Sequence, residues 1–445
     1  MNTPIYDFVR SYRAKNAVRL HMPGHKGVNL TGMESLDITE IDGADSLYEA
    51  TGIIAQSEAN ASALFGCATF YSTEGSSQCI RAMLYLACMK KLKTGDRPVV
   101  YAGRNAHKTF ISAAALIDFD IEWLYDEEGQ NYLSCNIKAE YLDKKLSQAK
   151  ERPVAVYITS PDYLGNVSNV KKLAEVCHRY GVLLIVDNAH GAYLKFLPVS
   201  QHPVDMGADL CCDSAHKTLP VLTGGAYLHI AQPVAEDMVP AAKNALALFG
   251  STSPSYIIMQ SLDMANKYIS EGYPEKLQQL CTKIQQLKDE LKNKGFVLIG
   301  NEPLKITVST KEYGYTGVEF AQLLADKNIV CEFSDPDHIV FMFADGINDE
   351  QLKYFGEVVC SIPQKDRIAA MPPQFSVPQK AVSVRQAVFS DCEYIEVEKS
   401  LGRVLAAATV GCPPAVPIVV CGEIIDEKSI ECFKYYGTEK CCVVK

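Results

Sequence analysis

Residues 181–219 constrain the fold of this 445-residue chain more than any other stretch. Val182 to Val186 is an apolar run rich in branched side chains, which is typical of a strand buried on both faces of a parallel sheet. Asp187 follows directly, at the strand end where open α/β sheets bind ligands. A second strand-like segment, 208–212, runs towards Lys217. The stretch therefore predicts an acid and a lysine at one edge of an α/β sheet.

An acid and a lysine in this setting suit pyridoxal 5′-phosphate (PLP). Its aldehyde forms a Schiff base with a lysine, and its ring nitrogen needs an acidic partner. Lys217 is the expected Schiff-base lysine, and a desolvated or cation-rich pocket would favour the loss of its proton. Asp187 is expected to keep the ring nitrogen protonated, which makes the ring an electron sink. Taken alone, Lys217 is explained by a solvated surface lysine and Asp187 by an aspartate that caps a helix. Only the two residues together favour PLP.

The residues beside this pair extend the predicted cofactor site. Ser214 and His216 precede the lysine, and both side chains can bond a phosphate group. Ala189 is small enough to lie under a flat ring, where a larger side chain would clash.

The segment Gly75-Ser76-Ser77 predicts the phosphate end of the site. It opens a predicted helix over 76–91, so backbone N–H groups, two hydroxyls and the positive helix end meet at one point. A plain N-cap serine would produce the same pattern, so the segment is a weak signal by itself.

His107 follows a predicted strand over 98–102. A histidine in that position suits stacking on a flat cofactor, and its N–H could serve a carboxylate or a proton transfer. From the residues alone, a capping or core histidine is the simpler explanation.

Ser-Ala-His-Lys around Lys217 resembles the lysine motif of the Orn/Lys/Arg decarboxylase family, PLP enzymes of fold type I. Six further segments resemble this family and occur in its order, which is more specific than any one of them. These segments are His-Met-Pro-Gly-His-Lys-Gly (21–27), Ser-Thr-Glu-Gly-Ser-Ser (72–77), Arg-Asn-Ala-His-Lys (104–108), Asp-Asn-Ala-His-Gly-Ala (187–192), Ser-Thr-Ser-Pro-Ser-Tyr (251–256) and Pro-Pro-Ala-Val-Pro (413–417).

The resemblance implies α-decarboxylation of an amino acid to the amine and CO2. The expected substrate is arginine, lysine or ornithine, as in polyamine biosynthesis. It also implies that His107 stacks on the ring and acts with Lys217 and Asp187 in catalysis, and that His190 reaches the phenolic oxygen. Ser251 matches a position that reaches the phosphate of a neighbouring subunit, so a homodimer or higher homo-oligomer with shared sites is expected.

Other classes of function stay open at this point, namely another PLP reaction (aminotransferase or lyase) and a non-catalytic homologue. An aminotransferase usually holds the substrate carboxylate with an arginine fork. Arg367, Arg385 and Arg403 are candidates for it, but none lies in a motif that demands carboxylate binding. The lack of such a motif around these arginines therefore favours decarboxylation.

The chain departs from the family pattern at four positions, which leaves the substrate open. Glu74 stands where a neutral residue is usual, and Gly224 lies where a polar side chain is common. Ala415 and Cys421 replace the glycine and the proline that are typical of the C-terminal motif.

Composition predicts a soluble globular protein in the cytoplasm. The net charge of −10 argues against nucleic acid and anionic membranes as partners. No signal pattern and no run of about 18 apolar residues is visible in the sequence. The sixteen cysteines show no metal-ligand spacing, so reduced thiols and no metal site are expected.

The predicted fold class is α/β. Alternating strands and helices indicate a PLP-dependent transferase-like large domain with a mainly parallel sheet, followed by a smaller α/β domain. The predicted divisions are an N-terminal arm (1–30), the PLP-binding large domain (31–295), the small domain (296–362), a proline-rich linker (363–378) and a C-terminal segment (379–445).

Overall fold

A computed structural model of the chain describes residues 1–126, 131–408 and 414–445. These residues form two compact units, each made from two stretches of sequence. The first unit comprises Met1–Lys90 and Val170–Gln278, and the second comprises Lys91–Asn169 and Gln279–Lys445. The first residue of the 413–417 motif lies outside the described residues.

Strands and helices alternate through most of both units. The described strands are β1 (Ala68–Ser72), β2 (Val99–Gly103), β3 (Asp120–Leu124), β4 (Ala155–Thr159), β5 (Leu183–Asp187), β6 (Leu210–Asp213), β7 (Ala226–Ile230), β8 (Leu298–Ile299), β9 (Lys305–Ser309), β10 (Phe333–Ser334), β11 (His338–Met342), β12 (Cys392–Glu396) and β13 (Lys440–Val444).

The described α-helices are α1 (Pro4–Ala14), α2 (Ile53–Phe65), α3 (Ser76–Thr94), α4 (Lys108–Ile117), α5 (Ala139–Ser147), α6 (Val170–Arg179), α7 (Ala215–Thr218), α8 (Gln232–Ala247), α9 (Tyr256–Ser270), α10 (Tyr273–Asn293), α11 (Gly317–Ala325), α12 (Asp349–Ser361), α13 (Val384–Val388) and α14 (Glu427–Tyr435). Short 3₁₀ helices lie at Glu34–Leu36, Leu47–Glu49, Ala192–Phe196, Thr310–Tyr313 and Val397–Lys399.

The first unit contains the strands on which the predicted site depends. They lie in the order β1-β7-β6-β5, with β5 and β6 parallel and β7 antiparallel to both of its neighbours. β5 has the buried apolar character that its sequence predicts, since Leu184, Ile185 and Val186 are fully buried. The strand begins one residue later than expected, so Asp187 is its last residue.

The described part of the second unit contains strands of three sheets. β4, β2 and β3 lie side by side and parallel, β10-β11-β9-β8 form an antiparallel sheet, and β12 pairs with β13. Together with the parallel pair β5–β6, this arrangement confirms the predicted α/β class with mainly parallel strands around the site. Within the described ranges, no helix combines the length and the apolar character that crossing a membrane requires.

Candidate active site

Lys217 lies in the short helix α7, which follows β6 after a single residue. Its backbone N–H donates to the carbonyl of Ser214 at 3.0 Å, which closes the turn. The Lys217 Nζ lies 2.9 Å from Nε2 of His190, a side chain that is only 5% exposed. The turn therefore directs the lysine amine into a partly buried, polar position in the first unit.

Asp187 ends the strand next to the one that leads to Lys217. The register of the parallel pair sets Asp187 opposite Cys212, so both strands end at the same edge. The carboxylate is buried, and its Oδ1 accepts from the backbone N–H of Ala189 at 3.2 Å and from the Cys212 thiol at 3.7 Å. Ala189 itself is partly exposed beside this acid. The structure thus places the acid at the end of β5 and the lysine just beyond the end of the neighbouring β6.

The start of α3 and the turn before Lys217 meet through two hydroxyls. The Ser214 hydroxyl donates to Oγ of Ser76 at 2.8 Å. Gly75, with φ of +71°, donates its N–H to the carbonyl of Gly224 at 2.7 Å. A Cβ added at Gly75 would have Ser77 N, at 4.0 Å, as its nearest neighbour, so the space there is open. Hydroxyls and first-turn N–H groups around open space fit a phosphate group.

His216 is held by the loop that precedes β7. Its Nδ1 lies 3.0 Å from the carbonyl oxygen of Gly225, and a carbonyl only accepts, so Nδ1 carries the proton. Burial lowers the pKa of His216, with the positive charge of Lys217 acting in the same direction and the bond to Gly225 opposing. The neutral ring therefore offers a lone pair at Nε2, and a phosphate contact through Nε2 requires a second proton.

Glu74, the departure from the family pattern beside this loop, accepts a hydrogen bond from the backbone N–H of Ser251. The Ser251 hydroxyl in turn accepts from the N–H of Ser253 at 3.1 Å. A Cβ at Gly250 would fall 2.0 Å from the Tyr48 hydroxyl, so only glycine fits before Ser251. The extra acid thus binds the loop that contains the predicted phosphate residue Ser251.

His107 lies in the second unit and is the N-cap of α4. Its Nδ1 accepts from the backbone N–H of Thr109 at 3.1 Å, so Nδ1 has the lone pair and Nε2 carries the proton of the neutral ring. The capping geometry that the sequence allowed is present. The role of His107 over the cofactor stays a prediction.

A buried network that the sequence analysis missed lies directly beside these residues. Oδ2 of Asp213 is 3.1 Å from Nε2 of both His202 and His229, and its Oδ1 accepts from Asn188 at 2.6 Å. All four side chains are fully buried. Since Asn188 adjoins Asp187, the network joins the ends of β5 and β6. The three partners of Asp213 come from unrelated loops and strands, so no spacing in the sequence reveals the network.

The charges in this network stabilise one another. Burial alone would raise the pKa of Asp213, but His202 and His229 hold it well below its usual range. Burial alone would lower the pKa of His229, but the Asp213 carboxylate raises it above its usual value. His202, Cys211 and Asp213 also have ligand-type atoms within 4.8 Å of one another, a grouping that the cysteine spacing does not indicate.

A lysine and a buried acid at adjacent strand ends, with an open helix start nearby, define an α/β enzyme built around a lysine-bound cofactor. Matches to family models identify the family of this enzyme. The Orn/Lys/Arg decarboxylase major domain matches residues 3–307, and the C-terminal domain of the same family matches residues 364–440. The chain belongs to the Orn/Lys/Arg decarboxylase family.

Relatives in sequence agree with this assignment, and a solved structure has a similar fold. The chain is 29% identical to the uncharacterized protein YaaO of Bacillus subtilis, over 97% of this chain and 93% of the relative. It is 27% identical to the arginine decarboxylase of the same organism, over 96% and 92%. The crystal structure of the Francisella novicida lysine decarboxylase LdcF matches with a TM-score of 0.79 at 17% identity, over 99% of this chain and 79% of that one.

The fold is therefore that of a fold type I PLP enzyme, and the chain is a PLP-dependent amino acid decarboxylase. The residues described above fit this cofactor. Lys217 offers an amine for the aldehyde, Asp187 a buried carboxylate for the ring nitrogen, and Ser76 and Ser214 hydroxyls for the phosphate. The predicted family and cofactor are confirmed.

Proposed function

We propose that this enzyme decarboxylates a basic amino acid, with arginine as the first candidate. The observation that supports a PLP reaction at this site is the 2.9 Å contact between Lys217 and His190 beside the buried Asp187. The relative named arginine decarboxylase, matched over nearly the whole of both chains, supports the choice of arginine. When bound, PLP supplies an electron sink for the electron pair that remains at Cα after CO2 leaves.

Residues of this chain bind the cofactor and position the protons of the reaction. Lys217 holds the aldehyde end, and either its Nζ or the Nε2–H of His107 returns a proton to Cα. His190 accepts a hydrogen bond from that amine and orients it. Asp187 holds the proton on the ring nitrogen, and its carboxylate is fixed by the N–H of Ala189.

The phosphate end is assigned to the start of α3. Ser76, Ser77 and Ser214 supply N–H groups and hydroxyls there, and Gly75, whose own N–H is bonded to Gly224, leaves the space beside them open. His216 adds a donor once it takes up a proton. Ala189 leaves space for the ring. We assign Ser251 to the phosphate of a neighbouring subunit, and His107, through its Nε2–H, to the face of the ring and to proton return.

The late arginines favour decarboxylation over amino transfer. Arg367 pairs with Glu312 at 2.8 Å, Arg385 donates to the carbonyl of Ala115 at 2.8 Å, and Arg403 pairs with Glu393 at 2.8 Å. Each guanidinium considered for a carboxylate fork thus already has a protein partner, which argues against an aminotransferase.

The test is product analysis with a panel of α-deuterated amino acids that includes arginine, lysine and ornithine. The proposal predicts CO2 and an amine that retains deuterium, with the largest kcat/KM for one basic substrate. A keto acid with loss of deuterium would instead identify an aminotransferase. Absence of any product from the PLP-loaded enzyme would identify a non-catalytic homologue. The Lys217→Ala variant is the matched control for background decarboxylation.

A further inference from the structure

Asp213 ends β6, the strand that leads to Lys217. Its fully buried carboxylate accepts hydrogen bonds from nitrogen atoms of three side chains, which belong to separate segments of the first unit. Oδ2 accepts from Nε2 of His202 and of His229, each at 3.1 Å, and Oδ1 accepts from Nδ2 of Asn188 at 2.6 Å. Because the carboxylate is bound from several directions, it is a rigid anchor for the amide of Asn188.

Asn188 begins the turn that contains two residues of the candidate active site, Ala189 and His190. Its backbone carbonyl accepts from the N–H of Gly191 at 2.8 Å, which closes the turn. The side-chain amide lies against the same turn, because a Cβ added at Gly191 would fall 2.0 Å from Oδ1 of Asn188. The hydrogen bond from Asn188 to Asp213 therefore fixes the turn as a whole.

The turn places His190 against the lysine. Nε2 of His190 is 2.9 Å from Nζ of Lys217, and the backbone N–H of Lys217 donates to the carbonyl of Ser214, the residue after Asp213. Asp213 is thus connected to both partners of this contact. It reaches Lys217 along the backbone of α7, and it reaches His190 through Asn188. A shift at Asp213 or at Asn188 would move one partner relative to the other.

Stability alone does not account for Asn188. The side chain is fully buried, yet its Oδ1 has no hydrogen-bond partner in the part of the chain that the structure describes. A buried amide oxygen without a donor is unfavourable. An unsatisfied buried group of this kind needs a compensating role, and the contacts of Asn188 offer one, which is to hold the turn.

We propose that Asp213 is a positioning residue for the reaction at Lys217. Through Asn188 it fixes the turn 188–191, and the turn holds His190 against the lysine amine. Asp213 and Asn188 both act through other residues. The inference rests on the proposed assignment of Lys217 and His190, and it holds whichever amino acid is the substrate.

Circular dichroism of the PLP-loaded enzyme in the visible range tests this role without any substrate. The visible ellipticity of bound PLP arises from its fixed, asymmetric surroundings, so it falls when the groups around the cofactor lose their positions. The variants are Asp213→Ala, Asn188→Ala and the double variant, each with its PLP content measured in parallel.

Asp209→Ala is the matched control for these variants. Asp209 is also a buried aspartate, and its Oδ2 accepts from Nε2 of His178 at 3.0 Å and from the backbone N–H of Leu184 at 2.8 Å. It lies at the other end of β6, directly before Leu210, and therefore away from the turn that holds His190. Asp209→Ala should lower Tm but keep the wild-type ellipticity per bound PLP.

We expect Asp213→Ala and Asn188→Ala each to lose most of the visible ellipticity per bound PLP and to lower kcat by about tenfold to a hundredfold. The double variant should match the more affected single variant, because both substitutions break the same connection. Since the ellipticity needs no substrate, a failure of the proposed decarboxylation would appear in turnover alone.

Wild-type ellipticity in Asp213→Ala or Asn188→Ala would overturn the proposal. Additive losses in the double variant, or an equal loss in Asp209→Ala, would do the same, because either result indicates a merely structural role. Should Asp213→Ala fail to fold, Asn188→Ala decides alone, since it leaves the ion pair between Asp213 and His229 in place.

Discussion

The assignment of the site depends most on Lys217. Its amine makes a direct contact with His190. After PLP loading and borohydride reduction, mass spectrometry of peptides should find one pyridoxyl group, attached at residue 217. Lys217→Ala should carry none, because the substitution removes the amine that the proposed Schiff base requires. Lys171→Ala, on the exposed face of α6, is the control and should be labelled like the wild type. A label on another lysine of the wild type would refute the assignment.

Asp187 supports a second prediction at this scale. Asp187→Asn should still bind PLP, but kcat should fall by about a hundredfold or more, because a neutral amide does not hold the proton on the ring nitrogen. Steady-state kinetics with cofactor occupancy measured in parallel would test this. Asp205→Asn, at a partly exposed ion pair with Lys195, should keep near-normal turnover. Normal kcat in Asp187→Asn would remove this residue from the proposed role.

Single residues also show what the sequence could and could not predict. Asp187 and Lys217 were predictable because each lies at or just beyond the end of a short apolar strand, and parallel strands end at one edge of a sheet. The Asp213 network was not, because His202 approaches it from a loop and His229 from β7, and that pairing of β7 with β6 is not visible in the sequence. The hydrogen bond that Glu74 accepts could not be predicted either, since it depends on how the loop at Ser251 folds. The local sequence pattern therefore predicts the positions of the acid and the lysine. Tertiary packing determines which side chains lie around them.

At the scale of elements, His229 links three strands of the first unit. It lies on β7, contacts Asp213 on β6, and its Nδ1 lies 3.0 Å from the Thr69 hydroxyl on β1. The other titratable groups that face it are His202, Cys67 and Tyr227. The folded pKa of His229 is raised above the ordinary value of about 6.5. The stabilisation is therefore complete below about pH 6.5 and is lost as pH rises through the folded pKa.

Thermal unfolding of the PLP-free protein between pH 6 and pH 9 measures this contribution. Tm should fall with rising pH, and His229→Gln should flatten that slope while lowering Tm at pH 6. His21→Gln, outside the network, should keep the slope of the wild type. A slope that is unchanged in His229→Gln would show that the ion pair with Asp213 does not titrate in this range.

Arg104 joins the end of β2 to the C-terminal segment of the second unit. Its guanidinium donates to the carbonyls of Pro417 and Ile418, at 3.1 and 2.9 Å, and pairs with buried Glu423 at 3.1 Å. Removing one partner of a buried ion pair leaves an uncompensated charge, so Arg104→Leu should lower the free energy of unfolding by roughly 3–5 kcal/mol.

Urea unfolding would measure this loss, with Arg97→Leu as the control. Arg97 makes ion pairs with Asp118 and Asp120 at the surface, where such pairs contribute about 1 kcal/mol or less. The double variant Arg104→Leu/Glu423→Leu should recover part of the stability. Equal losses in Arg104→Leu and Arg97→Leu would contradict the role of the buried pair.

At the scale of the whole molecule, the N-terminal arm leaves apolar side chains uncovered. Val18, Leu20 and Leu30 are 84%, 89% and 79% exposed, an arrangement typical of a surface that another chain covers. We propose that a second copy covers the arm in a homodimer, with an obligate interface above about 2,000 Å². Light scattering should give twice the 48.9 kDa of one chain, and Leu20→Asp should shift the mass towards the monomer.

Val199→Asp is the matched control for the dimer, since Val199 is 78% exposed but lies outside the arm. It should leave the mass unchanged. A wild-type monomer that still turns over substrate would contradict both the dimer and the sharing of sites through Ser251.

The strand order of the first unit has a consequence for how the chain is made. β7 lies between β1 and β6, yet it begins at Ala226, about 150 residues after β1 ends at Ser72. At a synthesis rate of about 5–20 residues per second, β1 leaves the ribosome roughly 8–30 s before its partner exists. Throughout that interval the edge of β1 that β7 later covers is open to pairing with other chains, so aggregation competes with folding until β7 has emerged.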